Sequence, residues 1–122
     1  MSAAFEYQLG VKVTRKHKDG VTCRLDLRPD LYNSEGVLHG GVIASVADEV
    51  AWFAIIEVLG ERRKMTTTEL KVNYLRPIVG KHLTARGYVL KLGRMLNVTR
   101  IEIFDERRKL AAHATVTYAL LS

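Results

Sequence analysis

One long apolar segment constrains the fold of this chain more than any other feature. Residues 37–60 read VLHGGVIASVADEVAWFAIIEVLG, and apolar side chains surround nearly the whole circumference of a helix over Gly40–Leu59. Gly60 follows it as a C-cap. A helix that is apolar all round is expected inside a protein, so the remaining chain must wrap it. Two adjacent acids near its middle, Asp48 and Glu49, break this pattern and need a partner or a function.

Alternating apolar and polar residues on both sides of the helix predict strands. Residues 9–13 and 21–27 alternate in this way, with the turn dipeptide Asp19-Gly20 between them. After the helix, four more strands are predicted over residues 70–74, 82–92, 95–104 and 110–121. This order favours an α+β fold, in which an antiparallel sheet of about five to six strands wraps one long helix.

The size and composition of the chain fit that fold. Its 122 residues suit one domain over residues 1–122. The single cysteine, Cys23, excludes an intrachain disulfide framework and fits a reducing compartment, so a cytoplasmic protein is expected. The first residues show no secretory signal. Asp48, Glu49 and Glu57 lie inside the apolar segment, and acids inside a bilayer are costly, so no membrane span is expected.

The net charge and the scattered histidines bear on partners and cofactors. A net charge of +6 favours anionic partners, including phosphorylated small molecules. A nucleic-acid partner is not expected, because the chain lacks interleaved aromatic residues and any recognised binding motif. Cys23 has no companions at metal-ligand spacing, and His17, His82 and His113 are far apart in the sequence. We therefore predict neither a metal nor another cofactor.

The start of the helix carries a second chemical signal, His39-Gly40-Gly41. First-turn N–H groups are unpaired there, and glycine lets a ligand approach the backbone, so such a terminus can hold an anion or a developing oxyanion. Asp48 lies about 12 Å of helix rise from Gly40, too far for both to act on one carbonyl within a single chain. If they cooperate, a second copy must bring its own Asp48 to this terminus. The alternative is a tight loop-to-helix junction and a structural acid.

The ordered motifs resemble those of a known enzyme family. Asn33 is followed by SEGVL and then HGG, with an acid nine residues after the histidine. NYLRP, Gly80, Gly93-Arg94 and ATVTY come further along the chain. This series, over about residues 20–118, resembles the hotdog-fold acyl-CoA thioesterases, and most closely the phenylacetate-pathway type, which uses aspartate as the acid. The fold of that family is an antiparallel sheet wrapped around one long helix.

The resemblance implies roles for four residues around the reacting carbonyl. Gly40 would polarise the thioester carbonyl through its backbone N–H. Asn33 and His39 would shape that side of the site, with Asn33 holding the water or the carbonyl. Asp48 of the neighbouring subunit would act as a general base for water, or as a nucleophile that forms an acyl anhydride.

The resemblance also implies a hydroxyl group that orients the water. Thr67 falls at this position, within the run 66–68 of three threonines, so the assignment is open by one residue. A related branch, acting on hydroxybenzoyl-CoA, uses glutamate with a threonine one turn later. Asp48 and Trp52 occupy those two positions here, which argues against the aromatic substrate of that branch.

Substrate-binding residues are predicted on the same helix and on basic loops. Gly41 allows close approach to the backbone, and Trp52 shares the helix face of the acid and would line an acyl pocket. Coenzyme A carries phosphates, which arginine side chains match well. Arg62, Arg63 and Arg94 are the predicted phosphate ligands.

Hydrolysis of acyl-CoA by a homo-oligomer, a dimer or a dimer of dimers (a homotetramer), is the leading hypothesis. A thioester carbonyl is electrophilic and its thiolate leaves readily, so a positioned base and oxyanion donors can suffice. Two alternatives stay open. One is hydration or dehydration of hydroxyacyl thioesters, which would use His39 together with an acid. The other is a non-catalytic module that binds acyl-CoA.

Overall fold

The computed structural model describes residues 4–121, which form one six-stranded sheet and one long helix. The elements in chain order are α1 (Phe5–Leu9), β1 (Lys12–His17), β2 (Gly20–Asp26), a 3-10 turn (Pro29–Leu31), α2 (Gly40–Leu59), β3 (Met65–Tyr74), β4 (His82–Leu92), β5 (Leu96–Phe104) and β6 (Leu110–Leu120). All neighbouring strands are antiparallel, in the order β1-β2-β4-β5-β6-β3. The predicted α+β architecture is confirmed, with β1 and β3 at the two edges of the sheet.

The inner face of α2 closes the hydrophobic core against the sheet. Its fully buried residues are Val46, Ala47, Val50, Ala51, Ala54 and Ile55. Gly87 of β4 lies directly below Val50, and a Cβ atom on this glycine would come within 2.8 Å of the valine side chain. Glycine at this position therefore allows the helix to approach the sheet closely.

The outer face of α2 is only half-buried, whereas the sequence predicted a helix buried all round. Asp48, Glu49, Trp52, Phe53 and Ile56 all keep intermediate exposure. The sheet covers one side of the helix, and the apolar residues of the other side face a cavity. Within residues 4–121, no helix has both the length and the apolar character needed to cross a bilayer.

The first predicted strand is wrong at its beginning. Leu9 ends the short helix α1 and is 2% exposed, and Gly10 adopts a left-handed conformation with φ of 89°. The guanidinium group of Arg28 donates to the carbonyls of Gln8 and Leu9 at 2.6 and 3.0 Å. These bonds from Arg28 hold the last turn of α1, and β1 begins only at Lys12.

The edge strand β3 is longer than predicted and contains a bulge. It begins at Met65 rather than near Leu70. Its pairing with β6 shifts by one residue between Thr67 and Glu69, so Thr68 is an extra residue in the ladder. The bulge puts Thr67 on the same face as Leu70, although strict alternation would put them on opposite faces.

Candidate active site

A cavity of about 670 Å³ lies between α1, the outer face of α2 and the first residues of β3. Six apolar side chains form much of its wall: Phe5, Tyr7, Trp52, Phe53, Ile56 and Met65. The rings of Trp52 and Phe53 pack edge to face with their centroids 5.4 Å apart. Such a wall can hold an apolar ligand group, and the polar residues described next lie beside it.

Asp48 is held in this cavity by a threonine hydroxyl of β3. Thr67 Oγ1 donates a hydrogen bond to Asp48 Oδ1 at 2.7 Å. This bond leaves the second carboxylate oxygen, Oδ2, which can accept a proton from water or attack a carbonyl carbon. Of the adjacent threonines, Thr66 lines the cavity, while Thr68 Oγ1 donates to the carbonyl of Thr117 at 3.2 Å. Thr67 is thus the threonine of this run that contacts the acid.

Tyr118 holds the backbone of Asp48 from the sheet side. It pairs with Thr67 across the β3–β6 ladder and is 7% exposed. Its hydroxyl donates to the main-chain carbonyl of Asp48 at 3.0 Å. Burial, and to a smaller extent the Asp48 carboxyl, raise the pKa of Tyr118 above its ordinary value. The phenol therefore keeps its proton and remains a donor.

A second carboxyl group faces the same cavity. Glu49 lines it next to Asp48, and its side chain makes no hydrogen bond within the described range. Burial, followed by the negative charges of Glu6 and Asp48, raises the pKa of Glu49 to about 7. This group therefore exchanges its proton near neutral pH, at the edge of an otherwise apolar wall.

The three arginines predicted to bind phosphate have different surroundings. Arg62 lines the cavity, with its guanidinium carbon 5.2 Å from the centre of the Trp52 ring, a cation–π distance. Arg63 and Arg94 are exposed and do not line the cavity. Only Arg62 therefore lies beside the acid-bearing cavity of its own chain.

The start of α2 presents one free donor. His39 Nδ1 accepts from the N–H of Gly41 at 2.8 Å, so the neutral imidazole carries its proton on Nε2. The N–H groups of Val42 and Ile43 both reach the His39 carbonyl. Within residues 4–121, the N–H of Gly40 is the first-turn donor without an acceptor. A ligand at this terminus would therefore meet Gly40, since the N–H of Gly41 is already occupied.

The sheet and the preceding loop hold this terminus in place. The hydroxyl of Tyr74 donates to the carbonyl of Gly40 at 2.8 Å. Asn33 Oδ1 accepts from the N–H groups of Glu35 and Val37 at 2.9 and 3.3 Å, which orders the loop before α2. Asn33 Nδ2 has no partner in the described part of the chain, so the amide can still donate to a ligand.

Comparison with known proteins identifies the family. A profile of the thioesterase superfamily matches residues 35–112 of this chain. The chain belongs to the thioesterase superfamily. The medium/long-chain acyl-CoA thioesterase YigI of Escherichia coli K12 is 31% identical, and the match covers 93% of this chain and 83% of YigI. The predictions of an enzyme and of a thioesterase are confirmed, while the phenylacetate-pathway subgroup stays a prediction.

Solved structures that are similar to this chain have the same fold. Thioesterase HI1161 of Haemophilus influenzae has a TM-score of 0.90 at 26% identity, over 99% of this chain and 85% of that one. The conserved protein PA5202 of Pseudomonas aeruginosa has a TM-score of 0.88 at 30% identity, over 99% and 96% of the two chains. The hotdog fold predicted from the motifs is therefore confirmed.

Eight of the ten predicted site residues of this thioesterase fall into two groups within one chain, and the exposed Arg63 and Arg94 belong to neither group. Asp48, Thr67, Trp52 and Arg62 line the cavity. The second group lies at or before the start of α2, outside the cavity wall, and consists of Asn33, His39, Gly40 and Gly41. The two groups stand apart, as helix geometry predicted for Gly40 and Asp48, and the functional role of each residue stays a prediction.

Sequence reasoning missed three features of the cavity in this thioesterase. Glu49 had a signal, since it is an unpaired acid beside Asp48, but helical geometry placed it on a different stripe. Tyr118 belongs to the ATVTY motif, but no role was predicted for it. Its partner Asp48 is 70 residues away in the sequence, and the register of the sheet brings the two together. The short helix α1, which supplies Phe5 and Tyr7, has too few residues to show helical periodicity.

Other reactive groups of this thioesterase are inert or dispersed. Cys23 is fully buried, and burial raises the pKa of its thiol to about 12, so it is not a nucleophile. Among residues 4–121, no cluster of three or more His, Cys, Asp or Glu side chains is placed to hold a metal ion.

Proposed function

We propose that this protein hydrolyses acyl-CoA thioesters at sites shared by two subunits, in which Asp48 of one subunit faces the Gly40 N–H of the other. The observation that carries the proposal lies on β3. This strand holds Asp48 through Thr67 towards one end and Gly40 through Tyr74 at the other end. β3 therefore contacts both halves of the proposed site, the Asp48 half and the Gly40 half. When β3 pairs with β3 of a second subunit, it can bring the Asp48 half of one subunit to the Gly40 half of the other.

The free edge of β3 supports such pairing. Within residues 4–121, β3 pairs with β6 on one side only, and its residues Leu70 and Tyr74 are 39% and 53% exposed. A long exposed edge with apolar side chains favours the addition of another strand. Leu70 lies three residues from Thr67 and four from Tyr74. Antiparallel pairing about a two-fold axis near Leu70 would therefore set Asp48 of each copy against Gly40 of the other.

The chemistry follows from the free atoms of the two halves. The N–H of Gly40 would donate to the thioester oxygen and stabilise the negative charge that develops on it. Asp48 Oδ2 would either take a proton from the attacking water or form an anhydride by direct attack, while Thr67 holds Oδ1. In both routes the C–S bond breaks, and the coenzyme A thiolate leaves and takes up a proton. The acyl group departs as a free acid, directly when water attacks the thioester, and after water has cleaved the anhydride when Asp48 attacks it.

The cavity supports an apolar acyl group. Its volume of about 670 Å³ and its aromatic and aliphatic wall suit a medium- or long-chain fatty acyl group, the class in the name of the relative YigI. An aspartate held by Thr67 fits the phenylacetate-pathway type, so phenylacetyl-CoA is the second candidate. Arg62, Arg63 and Arg94 remain the proposed phosphate ligands, and the dimer of dimers and the cytoplasmic location remain proposals from the sequence.

One assay tests the reaction and separates it from the alternatives. Purified protein is incubated with a panel of acyl-CoAs from acetyl to palmitoyl, with phenylacetyl-CoA, and free thiol is followed. We expect turnover that falls at least about 100-fold in Asp48→Asn, as is usual when a general base is removed. Water addition to an enoyl-CoA without thiol release would favour the hydratase. Tight binding without release would favour the non-catalytic module.

A backbone substitution tests the oxyanion donor. Gly40→Pro removes the N–H, and proline is well tolerated at the first position of a helix. His39 already has the extended backbone that a following proline requires, with φ of −61° and ψ of 134°. Gly40→Ala is the matched control, because its Cβ would lie 3.6 Å from the Tyr74 ring and the N–H remains. We expect the proline variant to lose activity and the alanine variant to keep most of it.

Mixing the two inactive variants tests whether the site is shared. In a dimer that contains one Asp48→Asn chain and one Gly40→Pro chain, one of the two sites has both native residues. Random assortment after refolding together should therefore restore about a quarter of the native activity. A mixture as inactive as its parents, when an affinity tag on one variant co-purifies the other and so shows mixed dimers, would contradict the shared site.

A further inference from the structure

Two tyrosine hydroxyls hold α2 at the two residues on which the proposed reaction depends. Tyr74 donates to the carbonyl of Gly40 at 2.8 Å, and Tyr118 donates to the carbonyl of Asp48 at 3.0 Å. Each carbonyl lies within the helix and has a second lone pair that remains available beside the bond to the residue four positions on. The hydrogen bonds from the two tyrosines therefore form in addition to the backbone hydrogen bonds of the helix.

These contacts are not spread along the helix. Within residues 4–121, every hydrogen bond from a sheet side chain to α2 ends on Gly40 or Asp48. Apolar packing fixes the rest of the interface, and such packing allows small sliding and rotation more readily than a hydrogen bond of fixed length. The directional contacts thus lie where the backbone carries the proposed oxyanion donor and the proposed base.

The surroundings of each tyrosine match this role. The Tyr74 ring lies against Gly40, within 3.6 Å of the position that a Cβ atom would occupy there. Tyr118 is buried beside Thr67 in the β3–β6 ladder, and Thr67 holds the Asp48 carboxyl group. Tyr118 and Thr67 therefore fix the main chain and the side chain of one residue, while Tyr74 fixes the main chain of the other.

We propose that Tyr74 and Tyr118 are positioning residues, which set the height and rotation of α2 on the sheet so that Gly40 and Asp48 present their reactive groups at fixed places. This inference rests on the proposed thioester hydrolysis. Neither hydroxyl touches substrate in this scheme, since each is engaged with a helix carbonyl. Loss of either bond leaves the reactive groups present but loosely placed, and misplacement of even a fraction of an ångström slows a reaction strongly.

The chain offers a matched control for the loss of a tyrosine hydroxyl. Tyr32 also donates to a main-chain carbonyl, that of Gly80, at 2.8 Å, but this bond does not involve α2. Tyr32→Phe, Tyr74→Phe and Tyr118→Phe remove the same atom and the same kind of bond. A purely structural role predicts similar consequences for all three, whereas a positioning role separates the last two from the first.

The experiment measures kcat, KM and the melting temperature of the three variants with the best acyl-CoA of the panel. We expect kcat to fall about tenfold in Tyr74→Phe and Tyr118→Phe with KM within about twofold, and less than about twofold in Tyr32→Phe. In a Thr67→Val background, the effect of Tyr118→Phe on kcat should shrink, because both act through Asp48. The effect of Tyr74→Phe should persist in full.

Each outcome decides the inference. Equal kcat values in all three variants would overturn it and leave the proposed hydrolysis intact. A native protein that releases no thiol from any acyl-CoA would overturn the hydrolysis, and the inference with it. If the buried Tyr118→Phe variant fails to fold, Tyr74→Phe decides alone, because Tyr74 is 53% exposed in the single chain. Sedimentation of this variant checks that the proposed β3–β3 contact, on which Tyr74 lies, is kept.

Discussion

The two edges of the sheet are built differently. β1 has six residues, KVTRKH, with a bulge between Val13 and Arg15 and basic side chains along its length. β3 has ten residues, MTTTELKVNY, and exposes Leu70 and Tyr74. Short length, a bulge and positive charge are the usual devices that prevent an edge from pairing with another strand.

This difference between β1 and β3 indicates which edge of the sheet pairs with another strand. β1 combines these three features, and its Lys16 pairs with Glu57 of α2 at 3.7 Å. β3 bulges only near its start, and the residues after the bulge run regularly to Tyr74. The edge that holds both halves of the proposed site is therefore also the edge open to pairing.

The largest effect should come from a charge on the open edge. Leu70→Lys puts an ammonium group at the centre of the proposed β3–β3 contact, where it would be desolvated without a partner. We expect sedimentation to show monomers and activity to fall at least about 100-fold. Thr14→Lys on β1 is the matched control and should change neither. A fully active monomer of Leu70→Lys would contradict the asymmetry of the edges.

A smaller effect should follow when β3 stays paired but loses its hold on the acid. Thr67→Val removes the hydroxyl that donates to Asp48 at 2.7 Å and keeps the side-chain shape. We expect kcat to fall about 10- to 100-fold with the oligomer intact. Thr68→Val, one residue along, removes a hydroxyl that bonds only to the sheet and should leave kcat within about twofold. Similar losses in both variants would point to general disruption of the strand.

The contribution of Glu49 to stability should depend on pH. Folding raises the pKa of Glu49 from 4.5 to about 7. Between these two pH values the Glu49 side chain therefore keeps a proton in the folded protein that it has released in the unfolded chain. This contribution to stability is present at low pH and is lost as pH rises to about 7. Glu49→Gln should match the native protein near pH 4.5 and exceed its free energy of unfolding by about 1 kcal/mol at pH 8, after allowance for solvent screening. Denaturant titrations across pH test this, and a pH-independent difference would contradict it.

The smallest effect should come from the ion pair at the protected edge. Glu57→Gln removes the partner of Lys16, whose side chain is 71% exposed. We expect the free energy of unfolding to change by less than about 0.5 kcal/mol, and salt to abolish the difference. The comparison with Glu49→Gln at pH 8 is direct, because both replace a glutamate of α2. A change above about 1 kcal/mol would mean that β1 depends on this pair.

Local patterns in the sequence predicted the main elements well. Gly40–Leu59 has the predicted bounds, and Gly60 caps it in a left-handed conformation with φ of 80°. β2 alternates as predicted, with Val21, Cys23 and Leu25 buried. These features depend on periodicity and on glycine backbone preference, which neighbouring residues determine.

Features that depend on distant contacts were not predictable in this way. The polar run 66–68 hid the first half of β3, because the bulge breaks the alternation on which strand prediction relies. The contact between Asp48 and Thr67 could be assigned from the family resemblance only to within one residue. The contacts of Tyr74 and Tyr118 with α2 arise from strand register, which no local pattern specifies.

The bulge limits how this edge strand can change in length. Deleting Thr68 alone would leave Thr67 opposite Tyr118 and Leu70 opposite Val116, so both halves of the strand would keep their orientation. A one-residue deletion or insertion elsewhere in β3 would reverse the facing of every residue on one side of the change. Either the Thr67 hydroxyl would then point away from Asp48, or the apolar residues after the bulge would move to the opposite face of the sheet. Natural or designed variants of this enzyme that lose a single residue from β3 should therefore lose Thr68.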